Sequence, residues 1–250
     1  MPSKWTQRFE LKPGRWVFSP TDESRAWGEK VKRVVDKHWN PPHFYYHLRS
    51  GGHVAAIQRH APSKYFFRTD LDSFFYRVNL SRLTRHLKTW LPYKVAREMA
   101  CRSVVKVPGS SIFTLPYGFV QSPVLASLAL DRSRLGAYLR SLDAGGAVLV
   151  SIYVDDIIVS GQSEKAIQAI SLAMGQIADA SAFPLSVGKS LCSAGVVTAF
   201  NIELLNGTTR IIDARLVQFK DEFRATSSAE VREGIFSYVA SVNPGQAATL

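Results

Sequence analysis

Two adjacent carboxylates, Asp155 and Asp156, stand between two apolar runs that are typical of buried β-strands. The first run covers residues 147–154 and the second covers residues 157–160, and both are rich in valine and isoleucine. A two-residue polar link between such runs predicts a tight hairpin with both carboxylates at its tip. Hard divalent cations choose oxygen ligands of this kind, so the pair is a candidate metal site, although an ordinary polar turn would have the same sequence.

A second source of carboxylates lies in residues 66–75, where an aromatic strand pattern runs into acidic residues and then into a helical pattern. Asp70 is at the carboxyl end of this predicted strand. Two-metal phosphoryl transfer needs carboxylates from separate strands, because Mg²⁺ ions roughly 3.5–4 Å apart clamp the attacking and leaving oxygens. Asp70 and Asp155 are the candidates for that bridge, and the metals would stabilise the charge on the transferred phosphorus.

The segment between these two carboxylate sources, residues 115–123, reads LPYGFVQSP and precedes a helical pattern over residues 124–139. Ser122 is a favourable helix N-cap and Pro123 is a favourable first helical residue. Gly118 permits the backbone to approach a ligand closely. Without its neighbours, this segment would be interpreted as a plain junction between a loop and a helix.

Together the three segments resemble motifs A, B and C of reverse transcriptases, in the same order along the chain. Motif A is similar to residues 69–75, motif B to residues 115–123 and motif C to residues 153–156, which read YVDD. The resemblance continues into the fingers of bacterial, retron-like enzymes, into motifs D and E and into the start of the thumb. These further segments are residues 14–20, 47–60, 189–190, 197–201, 235–239 and 242–244.

The resemblance implies the site residues one by one. It makes Asp70, Asp155 and Asp156 the catalytic carboxylates, which with Leu71 bind two Mg²⁺ or Mn²⁺ ions. Phe75 falls at the position of a steric gate, where a bulky ring excludes a 2′-hydroxyl and selects deoxynucleotides. The resemblance also implies one group of residues for the nucleotide and one for nucleic acid. The first group is Tyr117, Gly118, Gln121 and Lys189, and the second is Arg15, Arg59 and Arg68.

One departure from the family pattern concerns Tyr117. Most members carry glutamine at this position, and that glutamine helps to hold the incoming nucleotide and the template. The sequence of residues 118–122, GFVQS, resembles that of the abortive-infection and defence-associated branch of bacterial reverse transcriptases. Some members of that branch make DNA without a template and prime it on protein. The resemblance therefore implies a setting in bacterial defence against phage.

The charge pattern indicates a nucleic-acid partner on independent grounds. Lysine and arginine outnumber aspartate and glutamate by 31 to 20, which gives a net charge of +11. Residues 1–106 carry 21 basic and 8 acidic side chains, whereas residues 107–250 carry 10 and 12. The excess of positive charge therefore lies in the N-terminal part of the chain. We expect RNA or DNA and deoxynucleoside triphosphates as partners, with a non-coding RNA, a protein or a second copy of the chain as further candidates.

The patterns and the resemblance predict an α+β fold, namely a right-hand polymerase with fingers, a palm and a short helical thumb. The palm is expected as an antiparallel sheet with helices on one face. The fingers are assigned to residues 1–64, the palm with motifs A to E to residues 65–212, and the thumb to residues 213–250. A fingers insertion is expected around residues 80–112. Asn206-Gly207 predicts a type I′ hairpin turn that resembles the primer grip.

Several other classes of protein lack support in the sequence. Cys101 and Cys192 are too few for a disulfide framework, and no run approaches the roughly 18 apolar residues of a membrane span. The first eight residues lack the hydrophobic stretch of a signal peptide, so we expect a cytoplasmic protein without membrane contact. His43 and His47 are a weak zinc pair, because a zincin motif needs glutamate where Phe44 stands.

The leading hypothesis is an RNA-directed DNA polymerase that adds deoxynucleotides by two-metal nucleotidyl transfer. The first alternative is template-independent DNA synthesis primed on protein. The second alternative is a catalytically silent RNA-binding scaffold subunit. The intact carboxylates oppose the scaffold, whereas Tyr117 favours it.

Overall fold

The computed structural model describes residues 3–250, so Met1 and Pro2, the first residues of the predicted fingers, lie outside the described residues. Contacts within the chain divide it into two compact units. Unit 1 comprises the residues up to Pro42 together with Leu71–Arg140 and Gly175–Leu185. Unit 2 comprises His43–Asp70, Ser141–Met174 and Ser186–Leu250. Each unit is therefore assembled from stretches that are far apart in sequence.

The chain contains both helices and strands, numbered here in chain order. The helices are α1 (Asp22–His38), α2 (Gly52–Gln58), α3 (Leu80–Leu87), α4 (Tyr93–Ser103), α5 (Ser122–Asp131), α6 (Arg134–Ala144), α7 (Glu164–Ala180), α8 (Asp213–Ala225), α9 (Ala229–Val242) and α10 (Pro244–Ala247). The strands are β1 (Trp5–Lys12), β2 (Arg15–Pro20), β3 (Tyr65–Asp70), β4 (Val105–Lys106), β5 (Phe113–Thr114), β6 (Val148–Tyr153), β7 (Asp156–Gly161), β8 (Leu191–Ala194), β9 (Val196–Ala199), β10 (Ile202–Leu205) and β11 (Thr208–Ile211). Short 3₁₀ helices cover Tyr46–Leu48 and Phe74–Arg77. No helix within residues 3–250 is both long enough and apolar enough to cross a membrane.

Unit 1 is mainly helical and begins with the antiparallel hairpin of β1 and β2. Helix α1 follows directly, because the side chain of Thr21 accepts a hydrogen bond from the backbone N–H of Ser24 and so caps the first turn. Helix α5 is buried on almost all sides. The predicted cap of α5 is wrong by one residue, since Gln121 is the N-cap and Ser122 is already helical. Gln121 already has helical dihedral angles, so the helix begins one residue before the predicted position.

Unit 2 contains a four-stranded sheet in the order β6-β7-β3-β8, with every neighbouring pair antiparallel. A second antiparallel sheet has the order β11-β10-β9. The turn between β10 and β11 has positive φ at Asn206 (49°) and Gly207 (82°), so the predicted type I′ turn is confirmed. The expected mixed fold of helices and antiparallel sheets is also confirmed. The assignment of residue ranges to fingers, palm and thumb stays a prediction.

A buried histidine ties the strands of unit 2 together. His60 is fully buried, and its two ring nitrogens lie 2.6 Å from the Ser160 hydroxyl and 2.7 Å from the Ser151 hydroxyl. Ser160 in turn donates to the hydroxyl of Ser63 over 2.8 Å. Burial lowers the pKa of His60 to about 3, with the charge of Arg59 acting in the same direction. The imidazole is therefore neutral, and it links β6 and β7 to the segment that follows α2.

Candidate active site

The carboxylate hairpin joins β6 to β7 in unit 2. Strand β6 ends at Tyr153 and β7 begins at Asp156, and these two residues are register partners, so the two-residue link is Val154-Asp155. The prediction that Asp155 and Asp156 form the link is wrong by one residue. Asp155 lies in the turn, whereas Asp156 is the first residue of a strand. This shift matters because it gives Asp156 a register partner on the other side as well, which is Asp70.

Asp70 ends β3 and is almost fully buried, with 5% of its surface exposed. Its Oδ2 accepts a hydrogen bond from the Lys189 ammonium over 2.5 Å. The loop that carries Lys189 is held against the end of β3, because the Ser186 N–H donates to the Asp70 carbonyl over 2.8 Å. The other carboxylate oxygen, Oδ1, is buried without a hydrogen-bond partner. A buried anionic oxygen without a partner is costly, so this atom is suited to bind a cation.

Asp156 has a strongly perturbed pKa. Burial raises its pKa to about 6, and the negative charges of Asp155 and Asp70 add to the effect. Arg68 opposes them, with its Nη2 lying 3.5 Å from Asp156 Oδ1. Since like charges disfavour ionisation, the three carboxylates act as one negatively charged site in which bound positive charge is stabilised. We call Asp70, Asp155 and Asp156 the carboxylate site.

The donor set of the carboxylate site fits a divalent cation. Within residues 3–250, no three histidine, cysteine, aspartate or glutamate side chains are already arranged as a metal-binding group. The site nevertheless offers hard carboxylate oxygens as ligands. Oδ1 of Asp70 has no hydrogen-bond partner, and the raised pKa of Asp156 shows that its negative charge is poorly compensated. Both features favour binding of a cation. Lys189 supplies the positive charge beside Asp70. A metal ion would therefore compete with the Lys189 ammonium for this carboxylate.

Unit 1 contains an aromatic cluster built from Phe75, Tyr76 and Tyr117. The ring centroid of Tyr117 lies 4.7 Å from that of Phe75 and 5.4 Å from that of Tyr76. The guanidinium carbon of Arg15 lies 5.1 Å from the centroid of the Tyr117 ring, which is cation–π geometry. The Tyr76 hydroxyl accepts a hydrogen bond from the Trp16 N–H over 2.8 Å and so anchors the cluster to β2. The predicted steric gate, the predicted nucleotide residue Tyr117 and Arg15 thus lie together.

Two other predicted nucleotide-binding residues have structural contacts within unit 1. Gly118 has a φ of +97°, and a side chain there would place its Cβ 2.3 Å from the Phe18 carbonyl, so close packing on β2 requires glycine. Gln121 is fully buried, with its Nε2 3.5 Å from the Ser103 hydroxyl and its Oε1 packed against Gly28. For both residues, a role in binding nucleotide stays a prediction.

The remaining predicted residues are spread over both units. In unit 2, Arg59 pairs with Asp143 over 2.7 Å, and Arg68 donates to the carbonyl of Thr198 over 2.9 Å in addition to its contact with Asp156. In unit 1, Leu71 is buried and forms a β-bridge with Leu185. The two arginines are oriented by these partners, and their contacts with nucleic acid stay predictions.

Sequence reasoning missed two features of unit 2 near Tyr153. His47 contacts the carboxylate hairpin, because its Nδ1 accepts a hydrogen bond from the backbone N–H of Val154. An aromatic pocket of about 610 Å³ is lined by Tyr153 together with His53, Phe200, Phe219 and Tyr238. No local pattern signals either feature, since the contributing residues come from separate segments of the chain. The spacing of His43 and His47 and the resemblance of residues 47–60 to the fingers both include His47, but neither predicts its contact with Val154.

Residues 15–221 of the chain match the family model for reverse transcriptase (RNA-dependent DNA polymerase). The match covers most of the 250 residues, so the chain belongs to the reverse transcriptase family. This confirms the family resemblance of the three motifs. Reverse transcriptase domains generally use divalent metal ions, in agreement with the donor set of the carboxylate site. A comparison with curated protein sequences finds no match.

Three of the similar solved structures are nucleic-acid polymerases. The foamy viral protease-reverse transcriptase in complex with double-stranded DNA has a TM-score of 0.52 and 17% identity, covering 92% of this chain and 35% of that one. Telomerase from Candida albicans, in complex with a fragment of telomeric RNA, has a TM-score of 0.53 and 10% identity, covering 90% and 47%. The BmCPV RNA-dependent RNA polymerase has a TM-score of 0.53 and 10% identity, covering 84% and 23%. This chain spans less than half the length of each, and the likeness shows a polymerase-type fold.

Proposed function

We propose that this chain is an RNA-directed DNA polymerase that adds deoxynucleotides by two-metal nucleotidyl transfer. The observation that carries the proposal is the carboxylate site. Asp70 and Asp156 are register partners on neighbouring strands, and burial together with the charge of Asp155 raises the pKa of Asp156. Concentrated carboxylates with a perturbed pKa are typical of sites that bind catalytic cations. The family match supports the same class of reaction.

In the proposed reaction, Asp70, Asp155 and Asp156 would hold two Mg²⁺ or Mn²⁺ ions, together with Leu71, the residue after Asp70 in the chain. Bound ions supply charge stabilisation to the attacking and leaving oxygens of a phosphoryl transfer. A cation bound at Asp70 would compete with the Lys189 ammonium for this carboxylate. The Lys189 side chain is 56% exposed, so once displaced it is free to turn towards an anionic triphosphate.

Substrate choice is proposed to depend on the aromatic cluster. Phe75 is 7% exposed and is held by the ring of Tyr117, so it cannot move aside without losing that contact. A ring fixed in this way beneath the sugar would reject a 2′-hydroxyl by overlap and so select deoxynucleotides. Arg15, held over Tyr117, is proposed to bind the phosphates of the nucleotide or of nucleic acid. Arg59 and Arg68 are proposed to bind nucleic acid from unit 2.

A retron-like or defence-associated branch, acting in the bacterial cytoplasm against phage, is part of the proposal. It is supported by the sequence of residues 118–122 and by the tyrosine at position 117. Tyr117 has no side-chain amide that could hold a nucleotide and a template, and its ring packs against Phe75, Tyr76 and Arg15. That packing favours a second candidate function, which is template-independent synthesis primed on protein. A non-coding RNA, a protein or a second copy of the chain is the proposed partner.

The test is incorporation of labelled deoxynucleotides by the purified protein with Mg²⁺ or Mn²⁺, with and without an RNA template and primer. Asp155→Asn and Asp156→Asn are expected to reduce incorporation by about 10²- to 10³-fold, the typical cost of losing a group that stabilises transition-state charge. Asp213→Asn is the matched control, since this carboxylate is 81% exposed and pairs with Arg210. It should keep full activity.

Three outcomes separate the candidates. Extension that requires the RNA template and is lost in Asp155→Asn supports the RNA-directed polymerase. Label that remains on the protein after denaturation, without added template, supports protein-primed synthesis. If wild type and Asp213→Asn incorporate nothing under any condition, even with cellular RNA and partner proteins added, the chain is a silent scaffold and the proposal is wrong.

A further inference from the structure

The turn of the carboxylate hairpin has an unusual backbone conformation at its first residue. Val154 has a φ of +59°, a region that β-branched residues rarely adopt. In two-residue hairpins, a positive φ at this position is normally provided by glycine or asparagine. A valine held there costs on the order of 1–3 kcal/mol and persists only where its surroundings fix it. The surroundings of Val154 must therefore supply a specific contact.

His47 provides that contact. The backbone N–H of Val154 donates to Nδ1 of His47 over 2.9 Å. Since a backbone amide can only donate, Nδ1 must be unprotonated, and the neutral ring carries its proton on Nε2. Burial lowers the pKa of His47 to about 4, although a backbone hydrogen bond to Ile152 acts in the opposite direction. The imidazole is thus an acceptor at neutral pH.

The position of His47 is fixed by the same strand whose turn it contacts. The Ile152 N–H donates to the Phe44 carbonyl over 2.8 Å, and Tyr45 forms a parallel β-bridge with Ile152. The segment before His47 therefore runs along the end of β6. The ring of Tyr153 lies edge-on to the imidazole, with the two centroids 5.9 Å apart. The backbone contacts fix the segment that leads to His47, and the ring of Tyr153 packs against the imidazole itself.

From this geometry we infer that His47 is a positioning residue for Asp155. Its imidazole holds Val154 in the left-handed conformation, and the direction of the Asp155 carboxylate depends on that conformation because Asp155 is the next residue in the chain. His47 acts through Val154 and contacts neither nucleotide nor metal in this role. The inference rests on the proposed function for its effect on catalysis, whereas its effects on the turn and on metal affinity are measured without turnover.

His47→Phe is the primary test, because phenylalanine keeps an aromatic ring and removes the acceptor. We expect the affinity for Mn²⁺, measured by calorimetry without nucleotide, to fall roughly 10-fold, as is usual when a group that orients a metal ligand is lost. For nucleotide incorporation, kcat should fall by a similar factor while KM for the deoxynucleotide is unchanged. A merely structural role would lower the melting temperature without this separation of kcat from KM.

A rescue variant separates strain from general damage. Glycine adopts the left-handed region without the steric penalty of valine, so Val154→Gly removes the need for an external contact. In the double variant His47→Phe/Val154→Gly, the affinity for Mn²⁺ should recover at least threefold relative to His47→Phe alone. A further readout needs no metal. Hydrogen exchange at the Val154 amide should be slow in the wild type and faster in His47→Phe.

His43→Gln is the matched control, because His43 lies in the same segment, is 55% exposed and pairs with Asp143. It should leave Mn²⁺ affinity unchanged. The inference is wrong if His47→Phe also leaves Mn²⁺ affinity unchanged. It is equally wrong if the double variant His47→Phe/Val154→Gly binds Mn²⁺ no more tightly than His47→Phe, or if the Val154 amide exchanges freely in the wild type. A protein in which Mn²⁺ binding depends on His47 but which incorporates no nucleotide would contradict the proposed function and support the inference.

Discussion

The carboxylate site of unit 2 and the aromatic cluster of unit 1 are held together by opposite means. The carboxylate site places like charges on neighbouring strands next to a strained turn, and both features destabilise the fold. The aromatic cluster is built from ring contacts and a cation–π contact, which stabilise it. The carboxylate site is therefore kept in place by its surroundings, whereas the aromatic cluster is stabilised largely by its own contacts.

If that contrast is correct, the largest effect should come from removing what supports the carboxylate hairpin. His60→Leu leaves the hydroxyls of Ser151 and Ser160 without their ring partner inside the sheet. Each unpaired buried group is costly, so the free energy of unfolding should fall by about 2–4 kcal/mol in urea denaturation. His43→Gln, at an exposed histidine, should leave it unchanged.

The pH dependence of stability tests the same residue. The pKa of His60 is about 3 in the folded protein, against an ordinary value of 6.5. Below pH 6.5 the unfolded chain therefore binds a proton that the folded chain does not, and this part of the stability is lost as pH falls from about 6.5 towards 3. His60→Leu should lack this part of the pH dependence. Parallel curves for wild type and variant would contradict the neutral, buried His60.

The second prediction concerns the gate in the aromatic cluster. Phe75→Val replaces the ring that is proposed to exclude a 2′-hydroxyl with a smaller side chain, so the preference for deoxynucleotides over ribonucleotides should fall roughly 10- to 100-fold in the ratio of kcat/KM. Phe74→Leu is the control, because Phe74 is fully buried and packs against Phe183. That variant should lower stability and leave the ratio unchanged. A ratio that is unaffected by Phe75→Val would remove the proposed gate.

The parts of the fold and the site that could be predicted depend on local patterns. The strand end at Asp70 and the Asn206-Gly207 turn follow from apolar runs and turn chemistry within a few residues. The turn of the carboxylate hairpin was misplaced by one residue because the left-handed Val154 contradicts the preference of valine. A contact with a residue far away in sequence overrides that preference.

The parts that could not be predicted depend on such distant contacts. Lys189 and Asp70 are 119 residues apart in sequence, and His47 and Val154 are 107 apart. Periodicity and motif spacing describe neighbours along the chain and carry no information on these pairs. The family resemblance assigned Lys189 to the triphosphate, and its pairing with Asp70 is visible only in the structure. The roles of the site residues themselves stay predictions.

A smaller effect is expected where the aromatic cluster supports itself. Tyr117→Leu removes the ring that contacts Phe75 and Arg15, and such ring pairs contribute about 0.5–1.5 kcal/mol beyond burial. The preference for deoxynucleotides should therefore fall by roughly 3- to 10-fold, less than in Phe75→Val. Tyr117→Phe keeps the ring and should keep the preference. If Tyr117→Phe loses the preference as much as Tyr117→Leu does, the hydroxyl is responsible and the ring packing is not; if both variants keep it, Tyr117 does not support the gate.

The smallest effect should have the opposite sign, because Asp156 is a source of repulsion within the carboxylate site. Its pKa of about 6 lies above the ordinary value of 3.8, so its contribution to stability is complete below pH 3.8 and is lost as pH rises through about 6. Asp156→Asn removes that loss and should raise the metal-free free energy of unfolding at pH 7 by on the order of 1 kcal/mol. The same variant should lose stabilisation by Mn²⁺, because linkage requires binding to the native state. A metal-free variant less stable than wild type would mean that the contact with Arg68 outweighs the repulsion, and the contrast between the two regions would fail.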